Sequence, residues 1–146
     1  MQFVSEILAN RILEVALGAW ATAQILKVLF ALFIRKKLDW NLLTSSGGMP
    51  SSHSALVSAL TISIGHNYGF DSAMFALAAV FSLIVMYDAA GVRRAAGKQA
   101  EALNQIIAQI YRNHEITQER LKELIGHTPI EVFAGCALGI AFALFY

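Results

Sequence analysis

Apolar and polar residues in this chain fall into alternating blocks, and the apolar blocks have the length of membrane spans. In residues 1–14, Phe3, Val4, Ile7, Leu8 and Ile12 recur at helical spacing, with Glu6, Asn10 and Glu14 among the positions between. That pattern predicts an interfacial amphipathic helix, or the wet end of a longer one. Residues 15–34 are mostly apolar and long enough to cross about 30 Å of hydrocarbon. An unbroken helix from 3 to 34 would run roughly 48 Å, so a bend or break near Gly18 is expected, with a re-entrant hairpin as the alternative. The second apolar run, Ser54 to Gly65, is short and serine-rich, which suits a helix packed centrally rather than one facing lipid all round.

His66 to Asp71 reads as a turn, with Asp71 or Ser72 as cap of the next helix. Residues 72–91 form the clearest span, with Asp88 as its only charge. Residues 92–128 are polar enough to leave the membrane core. Within them Ala100, Leu103, Ile106, Ile107, Ile110 and Tyr111 make an apolar stripe, and Thr117 caps a second short helix ending at Gly126. Both helices suit a layer at the membrane surface. The last span, 129–146, carries Gly135 and Gly139 at the small-xxx-small spacing that lets helices approach closely. The expected fold is therefore all-α: one membrane-embedded domain over 1–146, with spans at about 15–34, 50–66, 72–91 and 129–146 and amphipathic surface helices.

Composition agrees with that class. Of 146 residues 57% are hydrophobic and 14% charged, against roughly 45–50% apolar in soluble domains. The net charge of +1 gives no reason to invoke nucleic acid, and the single cysteine, Cys136, excludes an intrachain disulfide. No basic start or small-residue cleavage site marks a signal peptide. Charge placement says more than its total. Four spans put Arg35, Lys36, Lys37, Arg93, Arg94, Lys98, Arg112, Arg120 and Lys122 on one side, leaving of the 11 basic residues only Arg11 opposite and Lys27 within a span. The positive-inside rule makes the crowded side cytoplasmic in a multi-pass cell-membrane protein.

The polar clusters collect at that same face. Gly47-Gly48-Met49-Pro50-Ser51-Ser52-His53-Ser54 and Gly126-His127-Thr128-Pro129-Ile130-Glu131 each open an apolar run. Pro50 and Pro129 read as first helical residues. The amides of Ser51 and Ser52, with the serine hydroxyls and the helix dipole, would then form an anion site. His127 and Glu131, four apart, let a carboxylate hold the imidazole in one tautomer while its other nitrogen attacks an electrophile. Thr128 to Glu131 equally fits a capping box. His53 is a candidate general acid. Lys27, Arg93 and Arg94 are candidate phosphate-binding cations, Lys27 having a snorkelling alternative. Asp88 calls for a partner in Arg93 or Arg94 and would orient it, with a metal-ligand role as the alternative.

Ala23-Gln24…Lys27, Gly47 to His53, Tyr87-Asp88-Ala89…Gly91-Val92-Arg93-Arg94…Gly97 and Gly126-His127-Thr128-Pro129…Glu131 together resemble the divergent branch of the type 2 phosphatidic acid phosphatase family, related to acid phosphatases and vanadium-dependent haloperoxidases. The resemblance spans nearly the whole chain. It implies a helical bundle that removes phosphate from lipids or small esters without metal or other cofactor. On the family pattern, Pro50-Ser51-Ser52-His53 matches the element that supplies the acid, with Ser52 in place of Gly. His127 and Glu131 match the nucleophile and the acidic residue four positions later, with Glu for Asp, implying a phosphohistidine intermediate. Arg93 or Arg94 would bind phosphate, at a longer distance from His127 than the pattern has, and Lys27 matches the first element without the Arg-Pro that follows it there.

The activity expected is a membrane lipid phosphate phosphatase: catalytic His127, His53 and Glu131; substrate-binding Lys27, Arg93, Arg94, Ser51, Ser52 and Asp88; and as partners the bilayer, a lipid phosphate substrate and a second copy of the chain. The alternatives are a catalytically silent protein that binds anionic lipid or assembles with partners, and a metal-dependent phosphotransferase of the CDP-alcohol type.

Overall fold

Six helices follow one another in a computed structural model that describes residues 2–36, 48–110 and 126–146: α1 (Gln2–Leu8), α2 (Arg11–Arg35), α3 (Ser52–Tyr68), α4 (Ala73–Ala90), α5 (Val92–Ile110) and α6 (Pro129–Phe145). No strand occurs among the described residues. The expected Thr117 cap, and Lys37, Arg112, Arg120 and Lys122, lie outside them.

The N-terminal break falls at Asn10, not Gly18. Asn10 caps α2 by accepting a hydrogen bond from the Leu13 amide at 3.1 Å. Gly18 sits within a continuous helix, where its missing side chain leaves room for Phe142: a Cβ there would come within 2.8 Å of the ring's Cζ. α2 and α4 are long and apolar enough to cross a membrane, the latter within a stretch running Ala73–Ala108. At 17 residues each, α3 and α6 extend only about 25 Å.

α3 occupies the centre, packed against α2, α4 and α6. Its composition explains the placement. Ser54, Ala55, Ser58, Ala59 and Thr61 are buried small residues, which let three neighbours approach without needing an apolar helix surface. Their hydroxyls are satisfied within the bundle. Thr61 Oγ1 donates to the Val57 carbonyl at 2.8 Å and meets Ser82 Oγ at 2.7 Å, and Ser58 Oγ donates to Cys136 Sγ at 3.2 Å. The α3–α6 contact is closest at two glycines. A Cβ on Gly135 would fall 2.2 Å from the Ser51 carbonyl oxygen, and one on Gly139 2.2 Å from that of Ala55. The small-xxx-small spacing is thus the seam of the bundle.

At the opposite end from that seam, the C-terminus is tied to the start of α2. Tyr146 Oη donates to Glu14 Oε1 at 2.7 Å, and Arg11 lies over the Tyr146 ring, 4.6 Å from its centroid. Ser72 caps α4, as one of the two expected residues. The junction of α4 and α5 is Gly91, with φ −107° and ψ −78°. Those angles depart from helical values near −63° and −42°, which marks Gly91 as the joint between the two helices.

Candidate functional site

The seam between α3 and α6 brings the two polar clusters together. Pro50 follows a cis peptide bond and precedes the helix. The N-cap of α3 is Ser51, whose hydroxyl accepts from the Ser54 amide and hydroxyl at 3.4 and 3.0 Å. Serine outcompetes proline for the boundary because its side chain satisfies an otherwise orphaned amide. The Ser51 amide is itself occupied: it donates to the Glu131 carbonyl at 3.0 Å. Ser51 is therefore a joint between helices and not, as its position in the sequence suggested, an amide free for an anion. Ser52, the first residue of α3, is buried beside it.

Pro129 does take the first position of α6, behind an N-cap at Thr128. The capping box and the histidine pair, alternatives in the sequence, coexist on one atom. Glu131 Oε2 accepts from the Thr128 amide at 3.1 Å and lies 3.1 Å from His127 Nδ1. The box holds the carboxylate still, and the carboxylate holds the ring. With Nδ1–H donated to Glu131, the lone pair is on Nε2. That nitrogen is buried and has no hydrogen-bond partner among the described residues. His127 is only 2% exposed. Burial pushes its imidazole below the usual histidine value; the Glu131 hydrogen bond and charge pull it back up, and the Lys27 and Arg93 charges add to the lowering.

The histidine loop is clamped from behind. The His127 amide donates to the Ala89 carbonyl at 3.1 Å, and a Cβ on Gly126 would fall 2.3 Å from the Arg94 amide nitrogen. Only glycine permits that backbone approach to the α4–α5 junction; the short helix that Gly126 is expected to end lies outside the described residues.

Lys27 faces the bundle interior, 2% exposed. Its stem packs on Gly48, where a Cβ would lie 3.2 Å from Cγ. The snorkelling alternative is thereby excluded. The Glu131 charge reaches Lys27, yet no ion pair to it forms among the described residues. His53, exposed in the first turn of α3, lies within electrostatic reach of Arg93, His127, Lys27 and Asp88. Asp88 selects Arg93 as its partner: Nε donates to Oδ2 at 2.7 Å, with both side chains part-exposed. That contact uses one edge of the guanidinium and leaves the two terminal nitrogens. Arg94 is exposed, and only its backbone is seen to serve the site, as the surface under Gly126.

The arrangement sets one buried imidazole nitrogen and one buried ammonium in a common electrostatic neighbourhood with a second histidine and an oriented arginine. Chemically, an imidazole whose Nε2 lone pair is unpartnered is a nucleophile by type, and lysine and arginine are the cations that bind oxyanions. Sequence reasoning missed the double use of Glu131, the Ser51–Glu131 link and the Gly126 contact. The first had a trace in the two alternative readings of Glu131 and the last in a glycine next to the histidine; the Ser51–Glu131 link had none.

Comparison with known proteins supplies a context. The model of the Divergent PAP2 family matches residues 8–142. A relative from Bacillus subtilis (strain 168), described as an uncharacterized membrane protein, YuiD, is 44% identical over 95% of each chain. No solved structure matches.

Proposed function

We propose, given that the chain belongs to the Divergent PAP2 family, that it is a membrane phosphatase hydrolysing a lipid-linked phosphate ester at the cytoplasmic face. The observation that carries this is His127: buried, held at Nδ1 by Glu131, with Nε2 unpartnered. In the first step the Nε2 lone pair attacks phosphorus and the bond from phosphorus to the lipid oxygen breaks. His53 protonates the departing alkoxide, and a phosphohistidine remains. Water then attacks that phosphorus as His53 takes its proton, releasing inorganic phosphate and restoring both imidazoles. Lys27, Arg93 and the Ser52 amide neutralise charge on the phosphoryl oxygens, the dominant contribution in such transfers. Asp88 orients Arg93, and Glu131 stabilises the positive charge that grows on His127.

The substrate class follows from depth. The polar clusters that open α3 and α6 and the charged junction of α4 and α5 lie at the ends of the apolar stretches, at headgroup level, where a phosphate borne on an acyl or prenyl chain resides. Phosphate release from a panel of phosphatidic acid, phosphatidylglycerophosphate and polyprenyl phosphates tests the proposal, with and without EDTA. Activity is expected to survive chelation and to vanish in folded His127→Ala. Turnover by that variant at the wild-type rate would refute the nucleophile. A panel with no turnover, together with retained anion binding, would favour a silent lipid-binding protein.

A further inference from the structure

Beyond the site, α5 carries a second surface with a chemistry of its own. Val92, Ala95, Ala96, Leu103 and Ile106 share one face of the helix at steps of three, four and seven residues, with Gln99 as the polar position among them. All five are exposed, Val92 at 58%, Leu103 at 48% and Ile106 at 52%. Lys98, three residues from Ala95, borders the strip on one side and Arg93, three from Ala96, on the other, while Arg94, Glu101 and Gln105 are exposed on the far face. Among the described elements α5 packs only against α4.

Two observations say what covers this face. One is continuity: α4 ends in an exposed apolar surface of Leu77, Val80, Phe81 and Ile84 closed by Tyr87, and the strip on α5 starts immediately past Gly91. A surface that faces acyl chains, then an aromatic residue, is how a spanning helix reaches the headgroup layer. The other is charge: Arg93, Arg94 and Lys98 against Glu101 make α5 cationic, and its apolar strip runs beside the basic residues. An apolar face flanked by cations matches the boundary between acyl chains and anionic headgroups. A helix projecting straight into water would leave that strip solvated, and the joint at Gly91, whose angles are off the helical values, is where α5 can turn to lie down.

We infer that α5 is an anionic-lipid docking surface. It rests its Val92–Ile106 strip in the headgroup layer of the leaflet that carries the site, with Lys98 at its border contacting lipid phosphates. Because Arg93 lies in the first turn of α5, the lipids the helix gathers are those beside the site. The inference concerns where the helix lies and holds whether or not the site turns over.

Nitroxide labels at Leu103→Cys, Ile106→Cys and, as control, Gln105→Cys in a Cys136→Ser chain test it in nanodiscs. The discs are made of phosphatidylcholine alone or mixed with phosphatidylglycerol. Relaxation by oxygen, which concentrates in acyl chains, and by an aqueous nickel chelate is read at each position. Expected are oxygen access at Leu103 and Ile106, nickel access at Gln105, and a lipid-buried population that grows with phosphatidylglycerol. Lys98→Gln lowers that growth about fivefold. Nickel access at Leu103 and Ile106 in both lipids would overturn the inference. So would exclusion of both reagents, which would place the strip against protein, a second copy being the case that label–label broadening reveals. Should Cys136→Ser fail to fold, Ile106→Trp in the native chain, read as the emission added over that of the parent's Trp20 and Trp40, reports the same depth. Quenching by brominated acyl chains supports the inference, and quenching by aqueous iodide alone refutes it.

Discussion

Adding one methyl group at Gly135 tests the link between the bundle's seam and its chemistry. A Cβ there would lie 2.2 Å from the Ser51 carbonyl oxygen, 3.0 Å from its carbon and 3.1 Å from Ser51 Cβ. The obstacle is backbone, so α3 and α6 must part by about 1 Å to restore ordinary contact. Overpacking of this kind costs about 1–3 kcal/mol. Separation also stretches the 3.0 Å bond from the Ser51 amide to the Glu131 carbonyl, worth about 1 kcal/mol. Replacing glycine in a helix returns about 1 kcal/mol. The net loss for Gly135→Ala is then about 2 kcal/mol, a fall of about 4–8 °C in the unfolding midpoint of a domain this size.

Gly139→Ala is the control. It meets the Ala55 carbonyl at the same 2.2 Å but lies a turn further from Glu131, so its thermal penalty should match while its effect on the site is smaller. Thermal unfolding in nanodiscs gives the first quantity; phosphate release, or orthovanadate binding if turnover is absent, gives the second. A displacement near 1 Å at a reacting centre costs about 100-fold, expected for Gly135→Ala alone. An unchanged midpoint in both variants would refute the close approach of α3 and α6. Equal functional losses would refute the transmission through Ser51 and Glu131.

Asp88→Asn should leave stability within about 1 kcal/mol, since the pair is part-exposed, yet weaken orthovanadate binding about tenfold by freeing Arg93 to wander; thermal unfolding checks the first half and isothermal titration calorimetry the second. Lys27→Met removes a buried ammonium that has no ion pair among the described residues, so it should raise the unfolding midpoint while abolishing anion binding. A lower midpoint would show that the cation is structurally compensated. His127 has a folded value lowered from 6.5, so below that pH the unfolded chain binds the proton more readily. Stability present above pH 6.5 is therefore lost as pH falls through it, and His127→Gln should flatten that limb of a midpoint-against-pH plot. Thr128→Ala removes one half of the capping box and should cost about 1 kcal/mol, measured by the same unfolding assay.

What the chain alone determined is what depends on short stretches of it. The apolar blocks located α2, α4 and α6 because hydropathy acts over one helix. Serine and alanine in α3 foretold a central helix, because burial among neighbours requires small side chains. Ser72, Thr128 and the His127–Glu131 spacing were legible because caps and four-residue pairs lie within a helical turn of their partners. Asn10 displaced Gly18 as the break for a related reason: a residue that satisfies an orphaned amide marks a boundary better than one that merely tolerates it. Tertiary structure decided which distant groups share atoms. That Ser51 gives its amide to Glu131, that Arg93 rather than Arg94 meets Asp88, that Gly126 rests on the Arg94 backbone and that Lys27 turns inward all depend on the rotation and separation of packed helices. Those quantities follow from how whole surfaces interdigitate, and no local pattern of residues encodes them.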